Sequence, residues 1–373
     1  MKEGWTYKKL GEIADIVHGK NQKEVLSENG RYPIYGSGGN IIGYANDYLC
    51  EAGTTILGRK GSINNPQFIE ERFWNVDTAF GISAKEGYDS KFIYYFITSI
   101  DWLKKNTGTT LPSLTQQVVK SVEMPVPPLD EQQRIVERLD SAFENIDKLK
   151  ANAEKQLAEA RTLFQKGLAK AMEPKEGWED KKLRDISQIK GGKRVPQGYK
   201  LETEKTNYPY IRVADFTDDG TIDLSDIHYI NKSVYQQIKN YTITDKDIYI
   251  SIAGTIGKSG IIPSCLNGAN LTENACKLVL NDGLEQRYVY WFTKSNIFKD
   301  QISSATRQAS QPKLALTRLA EVCITLPPLA VQQRIVERLD SLSENVRKYE
   351  EIQRQIISEC DALKQALLRK VFE

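Results

Sequence analysis

Paired cysteines are missing. The five that occur (Cys50, Cys265, Cys276, Cys323, Cys360) are scattered, odd in number and include no CxxC. Neither a disulfide framework nor a zinc site is therefore expected, and a reducing cytoplasm fits best. No apolar run approaches the roughly 18 residues of a membrane span, and Met1-Lys2-Glu3-Gly4-Trp5 lacks the apolar stretch of a secretory leader. Charge of one sign is not in excess. The 51 Lys and Arg against 49 Asp and Glu leave a formal +2, which neither demands nor excludes nucleic acid. Low-complexity tracts are absent as well, and 373 residues at 40% hydrophobic and 27% charged suffice for two domains with their own cores.

Catalytic signatures are equally scarce. Gly254-Thr255-Ile256-Gly257-Lys258-Ser259 has two residues between its glycines where a phosphate-cradling loop needs four, and Ile252 stands where the first glycine belongs. Asn65-Pro66-Gln67-Phe68 lacks the second proline of an amino-methyltransferase loop, and no Gly-rich cofactor loop accompanies it. Asp245 and Asp247 have no evident third metal ligand. His18 and His228 stand apart from any Ser or Cys motif. No nucleophile, metal cluster or cofactor loop is expected, so the chain reads as a non-enzyme.

What is present is a copy of itself. EGW-x2-KKL from Glu3 to Leu10 recurs from Glu176 to Leu183, continuing through Ile13/Ile186 and Ile16/Ile189 to Gly19-Lys20/Gly192-Lys193. Tyr32-Pro33 matches Tyr208-Pro209, and Phe92–Phe96 resembles Tyr288–Phe292. PPL-x2-QQRIVERLDS recurs from Pro127–Ser141 to Pro327–Ser341. The displacement only grows, so the second copy carries insertions, mostly between Tyr210 and Ile250. Gly36–Ile56 and Ile211–Ile252 share almost nothing. A duplicated frame with divergent inserts suggests one scaffold presenting two different surfaces, although drift of surface loops would leave the same trace.

After each PPL motif the apolar spacing predicts one long helix, over residues 127–173 and 327–373. In the first, the steps of three and four pass through Ile135, Leu139, Ala142, Ile146, Leu149, Ala153, Leu157, Ala160 and Phe164. In the second they pass through Ile335, Leu339, Leu342, Val346, Tyr349, Ile352, Ile356, Cys360, Leu363 and Leu367. Asp130 with Gln133 reads as a capping box, which Ala330 breaks in the second copy. Each seam needs a cover. The other helix, in antiparallel pairing, is the nearest candidate, although the sequence does not fix direction and each helix packing on its own domain remains open. Residues 1–126 and 174–326 read as mixed α/β. Strands are expected at Thr54–Leu57 and Asp247–Ile252, and helices at Ser90–Lys105, capped by Asp89, and at Leu284–Ile302.

A globular domain ending in PPL-x2-QQRIVERLD and entering a long helix, all of it twice, resembles the specificity subunits of type I restriction-modification systems over essentially the whole chain. The resemblance implies two α/β target recognition domains, each reading one half of a bipartite double-stranded DNA target. The helices would then act as a ruler and dock two methyltransferase subunits, which motor-nuclease subunits join. S-adenosylmethionine, ATP and Mg²⁺ would be bound by those partners, with no cofactor on this chain. Side chains and amides suited to phosphates and base edges nominate Lys20, Asn21, Tyr35, Ser37, Arg59, Lys60, Ser62, Thr109 and Thr110 in the first domain. In the second they nominate Lys193, Arg194, Arg212, Thr255, Lys258, Ser259, Arg307, Gln308, Ser310 and Gln311. A coiled-coil adaptor without DNA function explains the helices but not the divergent inserts. A stand-alone nuclease or methyltransferase would need the motifs that are missing.

Overall fold

The computed structural model describes residues 4–306 and 313–373. It divides into two compact units, Met1–Lys155 with Gln353–Glu373 and Gln156–Ile352. The first contains strands β1 (Thr6–Lys9), β2 (Ala14–His18), β3 (Tyr32–Tyr35), β4 (Ile41–Ala45), β5 (Thr54–Gly58), β6 (Gln67–Ile69), β7 (Trp74–Asn75), β8 (Ala79–Ala84) and β9 (Glu123–Val126). Helices α1 (Leu10–Ile13), α2 (Ser90–Ser99) and α3 (Gln116–Lys120) lie among them, and α4 (Leu129–Ala171) follows. An antiparallel sheet runs β2-β8-β5-β6, a smaller one runs β4-β3-β7 with β3 and β7 parallel, and β1 pairs with β9.

The second unit repeats this plan. Its strands are β10 (Glu179–Lys182), β11 (Ser187–Gly191), β12 (Pro209–Ile211), β13 (His228–Tyr229), β14 (Thr242–Ile243), β15 (Ile248–Ser251), β16 (Ser259–Gly260), β17 (Ala269–Leu271), β18 (Ala275–Leu280) and β19 (Cys323–Leu326). Its helices are α5 (Leu183–Ile186), α6 (Lys232–Ile238), α7 (Gln286–Lys294), α8 (Asn296–Thr306), α9 (Leu316–Ala320) and the start of α10 (Leu329–Phe372). The sheets run β11-β18-β15-β16 and β13-β12-β17-β14, and β10 pairs with β19. The first of these sheets repeats the first unit's strand order, and the second adds β14. Helix α6 and β14 both lie in the insertion between Tyr210 and Ile250. The strands expected from Thr54 and Asp247 are β5 and β15. Both are buried along their whole length, which explains apolar runs without alternation.

Two helical expectations are revised. The helix expected over Ser90–Lys105 ends at Ser99, and a 3-10 turn covers Trp102–Lys105. Asp101 caps that turn and Trp102 is fully buried, its indole donating to the Ile97 carbonyl at 2.9 Å, so the chain bends inward. The counterpart is cut into α7 and α8 at buried Ser295, whose hydroxyl accepts from Phe298 N at 3.3 Å. Asp89 caps α2 as expected, accepting from Phe92 N at 2.8 Å.

Asp130 is not an N-cap. Helix α4 starts at Leu129, so Asp130 lies inside the first turn, where its carboxylate meets Arg134 at 3.1 Å. The helix start is held instead by Gln132, which is buried, donates to the Pro127 carbonyl at 2.9 Å and accepts from Asp89 N at 2.9 Å. Gln332 does the same in the second unit, with Pro327 at 2.8 Å and Glu285 N at 3.0 Å. That is why Ala330 is tolerated: the anchor is the glutamine, not the acid.

The long helices α4 and α10 pack together, antiparallel within each unit. In the first, Lys150 meets Asp361 at 2.8 Å and Asp147 meets Lys364 at 2.5 Å, so the partner's number falls as the first rises. In the second, Arg161 meets Glu350 at 3.0 Å, and Gly167 faces Leu342 so closely that an added Cβ would lie 2.7 Å from Leu342 Cδ2. Both globular parts also share their cores with the helices. Val136, Leu139, Leu368 and Phe372 belong to the first core, and Leu168, Met172, Val336 and Leu339 to the second.

Along the seam, Leu139, Ile146, Ala153, Ala160 and Leu339 are buried, while Ile135, Leu157, Ile335, Leu342, Val346 and Ile356 are partly buried. Leu149 and Leu363 do not belong to it, being 51% and 48% exposed. The seam positions are one residue on, at Lys150 and Lys364. Their aliphatic stems cover apolar surface while the ammonium groups reach acids on the opposite helix. Tyr349 and Ile352 are exposed in the same way, with Glu350 and buried Gln353 in their places, so reading only apolar residues slips the register by one at all four positions.

Candidate nucleic-acid interface

All four stretches nominated in the first unit meet at one rim of loops at the strand ends. Gly19 starts it: an added Cβ would stand 1.9 Å from the Val76 carbonyl oxygen, so only glycine admits this approach. Lys20 N then donates to Asn75 O at 3.0 Å. Beyond β5, Arg59 N and Lys60 N both donate to Thr78 O, at 2.8 and 3.3 Å. Gly61 N bonds Pro112 O at 2.9 Å and Leu114 N bonds Arg59 O at 2.9 Å, which ties in the Thr107–Thr110 loop. Asn106 organises that loop, its Oδ1 accepting from Gly108 N and Ser113 N at 2.8 Å each. The Tyr35–Gly38 turn closes the set through Asn65 Nδ2, which donates to Gly38 O at 3.2 Å.

Lys20, Asn21, Lys60, Ser62, Thr109 and Thr110 are exposed on this rim, and Tyr35, Ser37 and Arg59 are half-buried. Arg59 is steadied by Asp77 O at 3.1 Å, and Tyr35 donates to Glu71 at 3.2 Å. Sequence reasoning missed the strut that joins the loops, Asn75–Thr78. The signal available was a polar run ahead of Ala79, at the same place in the frame as the run ahead of Ala275.

The second unit builds the same rim from different side chains. Gly192 stands where an added Cβ would lie 2.1 Å from Thr272 O, and Lys193 N donates to Leu271 O at 2.8 Å. Ile252 N and Ala253 N both donate to Asn274 O, at 2.8 and 3.2 Å, and Leu314 N bonds Ile252 O at 2.9 Å. Ile252 and Ala253 thus occupy the backbone places of Arg59 and Lys60. Lys193, Arg194 and Thr255 are exposed here, with Arg194 held by Glu273 at 2.6 Å.

Three nominated residues in this unit are otherwise engaged. Ser259 is fully buried and shares a hydrogen bond with Thr293 at 2.8 Å. The guanidinium of Arg212 is bound by buried Asp215 and by Asp226, with His228 Nε2 at 3.3 Å, so it braces the β12–β13 corner. Lys258 donates to Phe216 O at 3.0 Å and holds the Asp218 carboxyl below the usual carboxylate range. Nearby, burial with help from Lys299 pushes the Lys294 ammonium down to about 8. Arg307, Gln308, Ser310 and Gln311 lie outside the described residues.

The motifs set aside as non-catalytic have structural roles. Strand β16, not a helix, follows Gly254–Lys258, and the turn is pinned by Ser251 Oγ accepting from Lys258 N at 2.8 Å. Asp247 is buried against Lys277 at 2.8 Å and also accepts from Thr244 N. Burial pushes the Cys50 and Cys276 thiols up to about 12, far from nucleophilic. Among the described residues no group of three or more acids, histidines or cysteines is placed to hold a metal. No described helix is long and apolar enough to cross a membrane.

The family model for the type I restriction modification DNA specificity domain matches this chain twice, at residues 2–159 and 175–356. The chain belongs to that family. A putative type I restriction enzyme specificity subunit of Haemophilus influenzae is 28% identical over 90% of this chain and 86% of its own. The EcoBI specificity subunit of Escherichia coli is 22% identical over 85% of this chain and 72% of its own. Among solved structures, one chain described under complex assembly and conformational transition of the type I R-M system superposes with TM-score 0.80. It is 19% identical and covers 99% of this chain and 98% of that one. The HsdS subunit of Thermoanaerobacter tengcongensis gives TM-score 0.56 at 19% identity, over 100% and 97% of the two chains. At such identities the structures establish the fold alone. This specificity subunit is accordingly the non-catalytic, cofactor-free component that gives a type I restriction-modification complex its DNA recognition.

Proposed function

We propose that residues 1–126 and 174–326 are two target recognition domains, each reading one half of an asymmetric, bipartite duplex target. Residues 127–173 and 327–373 then serve as the spacer and as the docking surface for two methyltransferase subunits. Restriction and motor subunits join that complex in the cytoplasm, and S-adenosylmethionine, ATP and Mg²⁺ act there on the partners. One observation carries this reading: the two rims share a backbone frame but differ in side chains, Arg59-Lys60 in one and Ile252-Ala253 in the other. Equal frames with unequal faces suit two different half-sites. Readers on one face of the duplex need sites about one turn, roughly 34 Å, apart. A helix of 43 residues is on the order of 60 Å long and stiff enough to keep such a gap, as a flexible linker is not.

Methylated bases mapped across the genome of a host carrying this subunit and its methyltransferase should form a split, asymmetric motif with one fixed gap. A continuous palindrome would overturn the reading. Within the first rim, Arg59→Ala should weaken binding to one half-site by about 1–3 kcal/mol while the complex still assembles on a sizing column. An unchanged footprint over both half-sites would remove Arg59 from the interface.

A further inference from the structure

We propose that Asp140 and Asp340 are positioning residues that lock each globular part onto its long helix at a set angle, and so determine which gap between half-sites is accepted. In the first unit Asp140 takes a hydrogen bond from Lys91 Nζ at 3.0 Å and another from the Tyr95 hydroxyl. In the second, Asp340 takes two from Arg287, both at 2.7 Å, and one from Trp291 Nε1 at 2.8 Å. The donors sit four residues apart on α2 and on α7, on one face of each helix. Every donor differs between the copies, yet each reaches the same carboxylate of the repeated ERLD motif. Burial, with the Asp140 carboxylate beside it, pushes the Tyr95 hydroxyl up, so it stays a donor.

Position along the helix adds to this. Gln132 and Gln332 bind the backbone N–H of the cap residues Asp89 and Glu285, eight residues before each aspartate. That separation is about 12 Å along a helix. Two anchors that far apart fix both the roll and the tilt of α2 on α4, and of α7 on α10, where one anchor would leave a pivot. Asp140 and Asp340 are partly exposed and lie on neither loop rim, so their bonds direct the domains without touching the bases.

The inference rests on the bipartite reading above, and the same methylation mapping tests it separately. The wild-type complex should give a single gap. Asp340→Ala, and in the other unit Lys91→Met with Tyr95→Phe, should methylate the same half-site bases also at gaps one base pair longer or shorter. Selectivity for the native gap should fall about tenfold, the scale of one charge-assisted hydrogen bond. Arg287→Lys with Trp291→Tyr, which rebuilds the first unit's donors in the second, should keep the single gap. An unchanged single gap in both disrupted variants overturns the proposal. So does loss of all methylation without any relaxed sites, which would assign the carboxylates to stability alone. A continuous target for the wild type would instead count against the bipartite reading itself.

Discussion

Ile146→Pro in α4 is expected to cost about 3 kcal/mol or more and to abolish methylation by the assembled complex. The ring removes the N–H that bonds the carbonyl of Ala142, clashes with that carbonyl, and takes a buried isoleucine off the seam. The ion pairs Asp147–Lys364 and Lys150–Asp361 follow within one turn, so the kink falls where α4 is tied to α10. Urea unfolding followed by circular dichroism reads the loss, and a spacer that bends no longer holds two readers at one gap. Leu149→Ala provides the contrast. That side chain is exposed, so its removal should shift stability by less than about 0.5 kcal/mol, whereas Ile146→Ala should cost about 2–5 kcal/mol. Equal losses at the two sites would mean that the helices pair in another register.

A comparable effect is expected far from any rim. Asp247→Ala should destabilise the second unit by about 3–5 kcal/mol, because it strands the Lys277 ammonium in the interior with no counter-charge. The same carboxylate accepts from the amide and hydroxyl of Thr244, so the turn entering β15 loses its brace as well. Replacing both partners, Asp247→Leu with Lys277→Met, removes the stranded charge and should recover much of the loss. Thermal unfolding of the three variants beside wild type decides it. A loss of about 1 kcal/mol or less for Asp247→Ala would show that water reaches the pair and screens it.

The repeat made most of the fold legible, because duplication leaves identities wherever both copies need the same contact. Gly19 and Gly192 persist since a carbonyl oxygen occupies the space of a side chain at each, and Gln132 and Gln332 persist since each closes the same pair of backbone groups. The long helices were readable from spacing, but not their full register. Lys150, Lys364 and buried Gln353 occupy seam positions that a hydrophobic pattern assigns to neighbours. The rim was legible as four separate stretches and not as one surface, because its joints are backbone bonds, several of them to Asn75–Thr78, and one side-chain bond from Asn65 to Gly38. Arg212 and Ser259 have the right chemistry for DNA, and only tertiary contacts reveal that this chemistry is spent internally.

The first unit's core contains Leu368 and Phe372, and its boundary runs through Gln353–Glu373. The second unit is one continuous stretch of chain. A ribosome therefore delivers everything the second unit needs before it delivers the turns of α10 that seal the first. The first unit stays incomplete while the second is made, with Phe92 and Phe96 lacking the ring of Phe372 until that residue has emerged. Domains usually close in the order they emerge; here that order is reversed, and a chain lacking Leu368 and Phe372 leaves its earlier-made part unfinished.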